Sequence, residues 1–445
     1  MYSTKDDKAL DEIEDETRDE DQTENERYAP LSPDIPTEID DWRNTIKVNF
    51  PELVLPAEVG LSVVAQLLIE DIKNPFALVY VDVPSSGKTI VLNFFSTIKE
   101  LAYTTDNFTP ASFVSHAANK SQNKLAENDM LPQIRYKTVI VRDLAPIFAK
   151  KDEDVQAMLG ILIRVLDGEG LETNSGLHGK RGYSGEYLFM MLCASTPIRP
   201  RVWKVMGNLG SRLFFLNING IEKSEETLAE QLKISCRDKE IICRKATDDF
   251  LKTLWSKYPQ GIQWDKNSDN PQLIIIITKF AKVLARLRSA INVWKDGDDE
   301  KRKYNHTIPI TEMPDRLTQL LYNLARGHAL VCGRETLSID DLIVVAKTAL
   351  DSAPPNRAKI FRLLLESNGV LSTNKVMEKL KCSRPTALKE MEQLVILDIV
   401  DTEAELDTDQ EFLSIGRPEQ EITLKSDHAW FLSPECKEII AHGQK

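Results

Sequence analysis

Apolar residues recur along the chain in two rhythms. Over 57–73 they return every three or four positions (Val59, Leu61, Val64, Leu67, Leu68, Ile72), the period of an amphipathic helix. Phe76-Ala-Leu-Val-Tyr-Val81 is unbroken instead, and predicts a strand over 77–83 buried on both faces of a parallel sheet. A Ser/Gly turn and a helix over 88–101 follow. Further strands are predicted at 111–116, 138–141, 187–194 and 213–218, and a helix at 154–166. Strands alternating with helices predict an α/β layered domain. From 222 to about 352 the period is helical throughout, apart from a polar loop near 296–305. From 354 onward a separate small α+β module is predicted.

At 445 residues the chain is expected to hold two or three domains. The expected division is 1–40, an acidic tail with a Pro-rich linker; 41–221, the α/β core; 222–352, a helical region; and 353–445, the small module. Hydrophobic residues (42%) and charged residues (28%) stand in globular proportion. No unbroken apolar run approaches the roughly 20 residues of a membrane span, and the first thirty residues lack an apolar signal core. A cytoplasmic location without a membrane partner is therefore expected. Cys193, Cys236, Cys243, Cys332, Cys382 and Cys436 form no C-x-x-C pair, so reduced thiols are expected rather than a zinc site or a disulfide framework. The six histidines are scattered, and no protease, nuclease or transferase constellation stands out.

The net charge of −13 is uneven. Residues 1–27 carry twelve acids against Lys5, Lys8, Arg18 and Arg27, leaving −5 for the other 418 residues. With few large apolar groups that segment is expected to be disordered. It reads as a solubilising extension, or as an interaction tail imitating nucleic-acid charge. With the acid so concentrated, DNA binding on a basic face is not excluded.

The strongest chemical signal is Asp82-Val-Pro-Ser85-Ser86-Gly87-Lys88-Thr89, between a predicted buried strand and a helix. A phosphate loop of the form G-x-x-x-x-G-K-[ST] cradles phosphates with backbone amides, reaches them with its lysine and binds magnesium through its hydroxyl. Gly87, Lys88 and Thr89 match, Ser85 and Ser86 keep the loop small, and Asp82 replaces the first glycine. ATP and Mg2+ are the expected cofactors. Thr138-Val-Ile-Val-Arg-Asp143 supplies an apolar strand ending in one acid. Asp143 is the candidate for the magnesium shell or for polarising water, with helix capping as its structural alternative.

The order of these features resembles an AAA+ ATPase, particularly the branch with the MCM replicative helicases and their shorter phage and bacterial relatives. Four further segments carry the resemblance. Leu177-His-Gly179-Lys180-Arg181-Gly182-Tyr183 is similar to the pre-sensor hairpin, implying that Lys180 and Arg181 contact DNA phosphates in a ring channel. Cys193-Ala-Ser-Thr196-Pro197 resembles sensor 1, with Thr196 where the family has Asn. Leu209-Gly-Ser-Arg212-Leu-Phe is similar to the segment whose arginine reaches a neighbouring subunit's nucleotide. Pro314-Asp-Arg316, followed by Leu337-Ser338-Ile-Asp-Asp, looks like the helical lid, with Arg316 as sensor 2 and Ser338 capping the next helix. The resemblance implies a homo-oligomer, either open or a ring such as a hexamer.

The C-terminal module, as helix, Gly369, helix, turn, helix and two extended pieces, resembles a winged helix. Its third helix opens at Ser383 and carries Arg384 and Lys389 as candidate DNA contacts. Such modules, like the acidic tail, also dock proteins. Trp430 and Phe431 are expected in the core of a last strand. Two functions follow. One is a DNA-associated, Mg-ATP-driven helicase or remodelling motor. The other is a regulatory or anti-phage defence switch that assembles on nucleotide with little hydrolysis.

Overall fold

A computed structural model describes residues 27–115, 125–175, 179–210, 212–218, 224–231, 235–295, 304–402 and 420–443. The acidic stretch 1–26 lies outside them.

Helices α1 (Ile39–Asn49) and α2 (Val54–Ala65) precede strand β1 (Phe76–Val81). Every residue of α2 from Pro56 to Ala65 is buried, as expected of a helix that is apolar nearly all round. After β1 come α3 (Lys88–Phe94), β2 (Ala102–Thr105), β3 (Thr138–Val141), α4 (Asp152–Val165), the β4–β5 hairpin (Gly170–Ser175, Gly179–Ser184), β6 (Met190–Ser195), α5 (Pro200–Leu209) and β7 (Leu213–Asn217). The sheet runs β2–β3–β6–β1–β7, every pairing parallel. Alternate residues of β1 serve opposite faces. Phe76, Leu78 and Tyr80 join one core, which extends into the helical region; Ala77, Val79 and Val81 join another beneath α4 and α5.

The helical region holds α6 (Cys236–Lys257), α7 (Pro271–Arg288), a small β8–β9 hairpin (Val293–Trp294, Asn305–His306), α8 (Asp315–Val331) and α9 (Asp341–Asp351). The end of α9 closes the open edge of β7. Ser352 Oγ accepts from Phe215 N at 2.8 Å and Asp351 Oδ2 from Asn217 N at 2.9 Å, so the edge offers no template for a stray strand there. The module that follows contains α10 (Pro355–Glu366), β10 (Val370–Ser372), α11 (Thr373–Leu380), α12 (Arg384–Ile396), β11 (Val400–Thr402), β12 (Glu421–Leu424) and α13 (Pro434–His442). Its strands form an antiparallel sheet in the order β10–β12–β11.

Several expectations need correction. The second strand is not 111–116 but Ala102–Thr105, which pairs with β3. Thr109 and Ser112 form a reciprocal capping box and Pro110 fills the first helical position, so Pro110–Phe113 becomes a short helix. Helix α3 stops at Phe94 rather than Leu101, where Phe95 leaves the helical basin. Phe431 is buried against Phe280 and Phe361, as a core residue should be, but it and Trp430 lie in the 3-10 helix Ser426–Leu432 and not in a strand. Ser338 is not the helix cap: Asp340 holds that position, and Asp341 Oδ2 accepts from Ser338 N at 2.7 Å. The stretch Pro51–Leu68 is long and apolar enough to span a membrane, but 78% of it is buried inside the protein.

Candidate functional site

Parallel pairing sets the site. Val81 lies opposite Ser195 on one side and Asn217 on the other, so the loops after β1, β6 and β7 leave the sheet at one edge. Because β6 sits between β1 and β3, the Thr196 segment falls between the phosphate loop and Asp143. Leu144 N donates to Ala194 O at 2.8 Å and fixes that neighbourhood.

The loop itself turns through two left-handed residues, Ser85 (φ 67°) and Gly87 (φ 96°). At Gly87 a side chain would also meet Leu53, 3.1 Å from the Cβ position, so glycine suits both backbone and space. Lys88 Nζ folds over the loop and donates to Asp82 O (2.8 Å), Val83 O (2.6 Å) and Ser86 Oγ (3.3 Å). Partial burial lowers the Lys88 pKa, while the carboxylates of Asp82 and Asp143 oppose the shift. Lys88 therefore senses both acids. Asp82 Oδ1 accepts from Val83 N at 2.7 Å, which occupies one loop amide. Thr89 and Asp143 are exposed, and Thr196 is half-buried. Asp143 Oδ1 also accepts from Ala145 N at 2.8 Å, although Leu144 and not Asp143 holds the N-cap position of the short helix Ala145–Phe148.

This donor set fits magnesium and a phosphate chain: an ammonium poised over a tight turn, a hydroxyl at a helix start and an exposed carboxylate at the same edge. Asp82 is the group that fits least well, because it brings negative charge to the turn's entrance.

Arg212 and Arg316 lie at the opposite edge. Leu213 pairs with Ala77 near the start of β1, so Arg212 sits about 20 Å along the strand direction from the phosphate loop. Arg212 is buried at 8% exposure and pairs with Asp167 at 2.6 Å. Arg316, exposed, lies 4.0 Å from the same carboxylate. Burial lowers the Arg212 pKa against the pull of Asp167, and Arg316 lowers it further. Neither arginine is near its own chain's loop.

The β4–β5 hairpin rises from this second edge. Gly182 (φ 128°) lets the strands meet closely, for a side chain there would lie 2.1 Å from Leu171 O. Lys180 is exposed and paired with Glu172 at 2.8 Å; Arg181 is half-buried. The tip, 176–178, lies outside the described residues. Arg384 and Lys389 sit on the first half of α12, Arg384 half-buried and Lys389 exposed.

Sequence reasoning missed two clusters. Glu58, His328 and Cys332 bring their ligand atoms within 4.8 Å of one another. His328 Nδ1 lies 2.6 Å from Asp341 Oδ1, and Nε2 lies 2.9 Å from Glu58 Oε1. Arg43 bonds both Glu58 and Cys332, and Arg334 clamps Asp341. Guanidinium groups thus already answer the charge that a metal would neutralise. The second cluster is an anchor: Arg27 donates to the carbonyls of Leu67, Ile69 and Ile72 and to Glu186. His328 and Cys332, four apart on α8, are the local signal that the sequence offers; Glu58 and the carbonyls around Arg27 lie tens to hundreds of residues from their partners.

No protein-family model matches the chain, and no curated protein sequence matches it. Among solved structures the chain is similar to the A form apo structure of the NrS-1 C terminal region, with 12% identity, 89% of this chain and 78% of that one covered, and a TM-score of 0.29. It is also similar to SCCmec type IV Cch, an active helicase, with 11% identity, 91% and 73% covered, and a TM-score of 0.36. Both scores fall below 0.5, and the functional reading is built on the chain's own geometry.

Proposed function

We propose that this protein is a DNA-associated ATPase of the AAA+ type, working as an oligomer in helicase or remodelling chemistry. One observation carries the reading. A single sheet edge gathers Lys88, Thr89, Thr196 and Asp143, while the cations of the hairpin, Arg212 and Arg316 lie at the other.

Bound Mg-ATP would supply the anhydride bond and the ion that neutralises its charge. Lys88 exchanges its own loop carbonyls for phosphate oxygens. Thr89 and Asp143 hold the magnesium shell. The Thr196 hydroxyl orients water, though with fewer hydrogen bonds than an amide. Arg212 and Arg316 serve the adjoining subunit's pocket, since they are remote from their own. For Arg212 this requires release from Asp167, which ties pocket completion to a local rearrangement. Lys180 and Arg181 grip the DNA backbone. The α10–β12 module has the helix and strand order of a winged helix.

A second reading, a nucleotide switch with slow turnover, is favoured by the lone acid Asp143, already bonded to Ala145 N, and by Asp82. A DNA-stimulated ATPase assay separates the two. Lys88→Ala removes a charged donor worth about 1.5–3 kcal/mol, so ATP affinity should fall roughly ten- to hundredfold. Unchanged affinity would exclude the phosphate loop.

A further inference from the structure

An open cleft of about 920 Å3 lies between α5, the β8–β9 region and the first turns of α10 and α12. Nothing in the function above uses it. Among its described lining residues five are cationic and one, Glu390, is acidic; Arg201 is paired with Asp152 at 2.9 Å and Arg288 with Glu312 at 3.8 Å, so the exposed positive charge is that of two lysines. Lys204 from α5 and Lys389 from α12 make no ion pair or hydrogen bond among the described residues. Behind them Arg357 is buried, its guanidinium held by the carbonyls of Leu287 and Ser289 at 2.9 and 2.7 Å. Glu390 is engaged by Asn356 at 3.1 Å. The cleft also holds two indoles. Trp203 packs on Phe215, and Trp294 is 43% exposed, unusual for so large an apolar ring.

Unpaired lysines on two elements beside an exposed indole are what single-stranded nucleic acid needs: charge for the backbone and a flat face for a base. The same cleft argues against a duplex. The first turns of α12, through Pro385, Thr386 and Lys389, line it. The β8–β9 region packs on that helix, with Tyr304 Oη donating to Pro385 O at 3.4 Å. The β8–β9 region thus stands beside the exposed first turns of α12 and narrows the approach of a major groove to them.

We propose that this cleft binds single-stranded DNA, with phosphates against Lys204 and Lys389 and a base stacked on Trp294. The proposal rests on the DNA-associated part of the function above and not on hydrolysis.

The test uses the full chain without nucleotide, carrying Lys180→Glu and Arg181→Glu so that the hairpin does not mask the cleft. Fluorescence anisotropy follows a labelled twenty-nucleotide oligo(dT) and a duplex of equal length. Lys204→Gln with Lys389→Gln should weaken oligo(dT) binding about tenfold and flatten its log–log salt slope by about 1.4, roughly 0.7 per cation. Trp294→Ala should cost roughly fivefold or more and Trp294→Phe much less, with duplex binding unmoved by either. Each variant is compared at an unchanged melting midpoint. Unaltered oligo(dT) binding in the lysine variant overturns the proposal, as does equal binding by Trp294→Ala, Trp294→Phe and the parent. Lys88→Ala should lose ATP and keep the oligonucleotide, so failure of the nucleotide pocket and failure of the cleft are told apart.

Discussion

His328 stands between two carboxylates, Asp341 and Glu58, each of which also meets a guanidinium. Burial opposes a charge on the imidazole, but the hydrogen bonds to Asp341, Cys332 and Glu58 overcome it and raise its pKa well above 6.5. Burial likewise opposes the Glu58 carboxylate, yet His328 and Arg43 hold it down to about 2 from an ordinary 4.5. The two groups bound a pH window. The His328 contribution is complete below pH 6.5 and is lost as pH rises through the higher folded value. The Glu58 contribution is complete above 4.5 and is lost as pH falls toward 2. His328→Ala leaves buried carboxylates short of a cation and should cost about 3–5 kcal/mol near pH 6. In thermal or urea melts the gap between wild type and variant should narrow as pH climbs past the imidazole range. A gap constant from pH 6 to 10 would show that the fold does not raise the imidazole's pKa. At this scale legibility follows distance along the chain. Gly87, Lys88 and Thr89 are adjacent and readable, whereas His328 meets Glu58 across 270 residues and only Cys332, four positions on, is a near partner.

The β4–β5 hairpin argues the same way for elements. Glycines flanking Lys180 and Arg181 suggest a tight turn at those cations, but both lie within strand β5, opposite Asn174 and Thr173, because the chain reverses before Gly179. Charge reversal of both cations should weaken DNA binding at low salt and reduce the log–log salt slope by about 1.8 on duplex or 1.4 on single strand. An unaltered slope would remove the hairpin from DNA contact. Strand β1 was legible because burial on both faces leaves an unbroken apolar run. Strand β2 was not. Ala102-Tyr-Thr-Thr105 is only partly buried and has no such run, and the apolar residues at 111–114 drew the assignment instead. There a capping box and Pro110 decided in favour of helix, so turn chemistry overrode composition.

At the scale of the whole molecule, the two sheet edges pose a geometric question that one chain does not answer. Lys88 and Arg212 lie at opposite ends of β1 and β7, so a pocket that uses both must draw them from different copies. Subunit mixing tests this directly. Lys88→Ala subunits lack the phosphate-loop lysine but keep Arg212; Arg212→Ala subunits have the reverse defect. Each should be nearly inactive alone. In a random one-to-one assembly, an interface is whole when an Arg212→Ala copy supplies the loop and a Lys88→Ala copy supplies the arginine. That combination arises at about one interface in four, so the mixture should regain about a quarter of wild-type ATPase activity if interfaces fire independently. Melting curves must first show that Arg212→Ala folds, since it strips Asp167 of its 2.6 Å partner. Arg316 remains beside that carboxylate and limits the charge left exposed. If folded single mutants assemble and the mixture stays as inactive as its parts, Arg212 does not act across a subunit boundary. Its pairing with Asp167 is then its whole role, and Arg316 is left as the second edge's candidate for the neighbouring pocket.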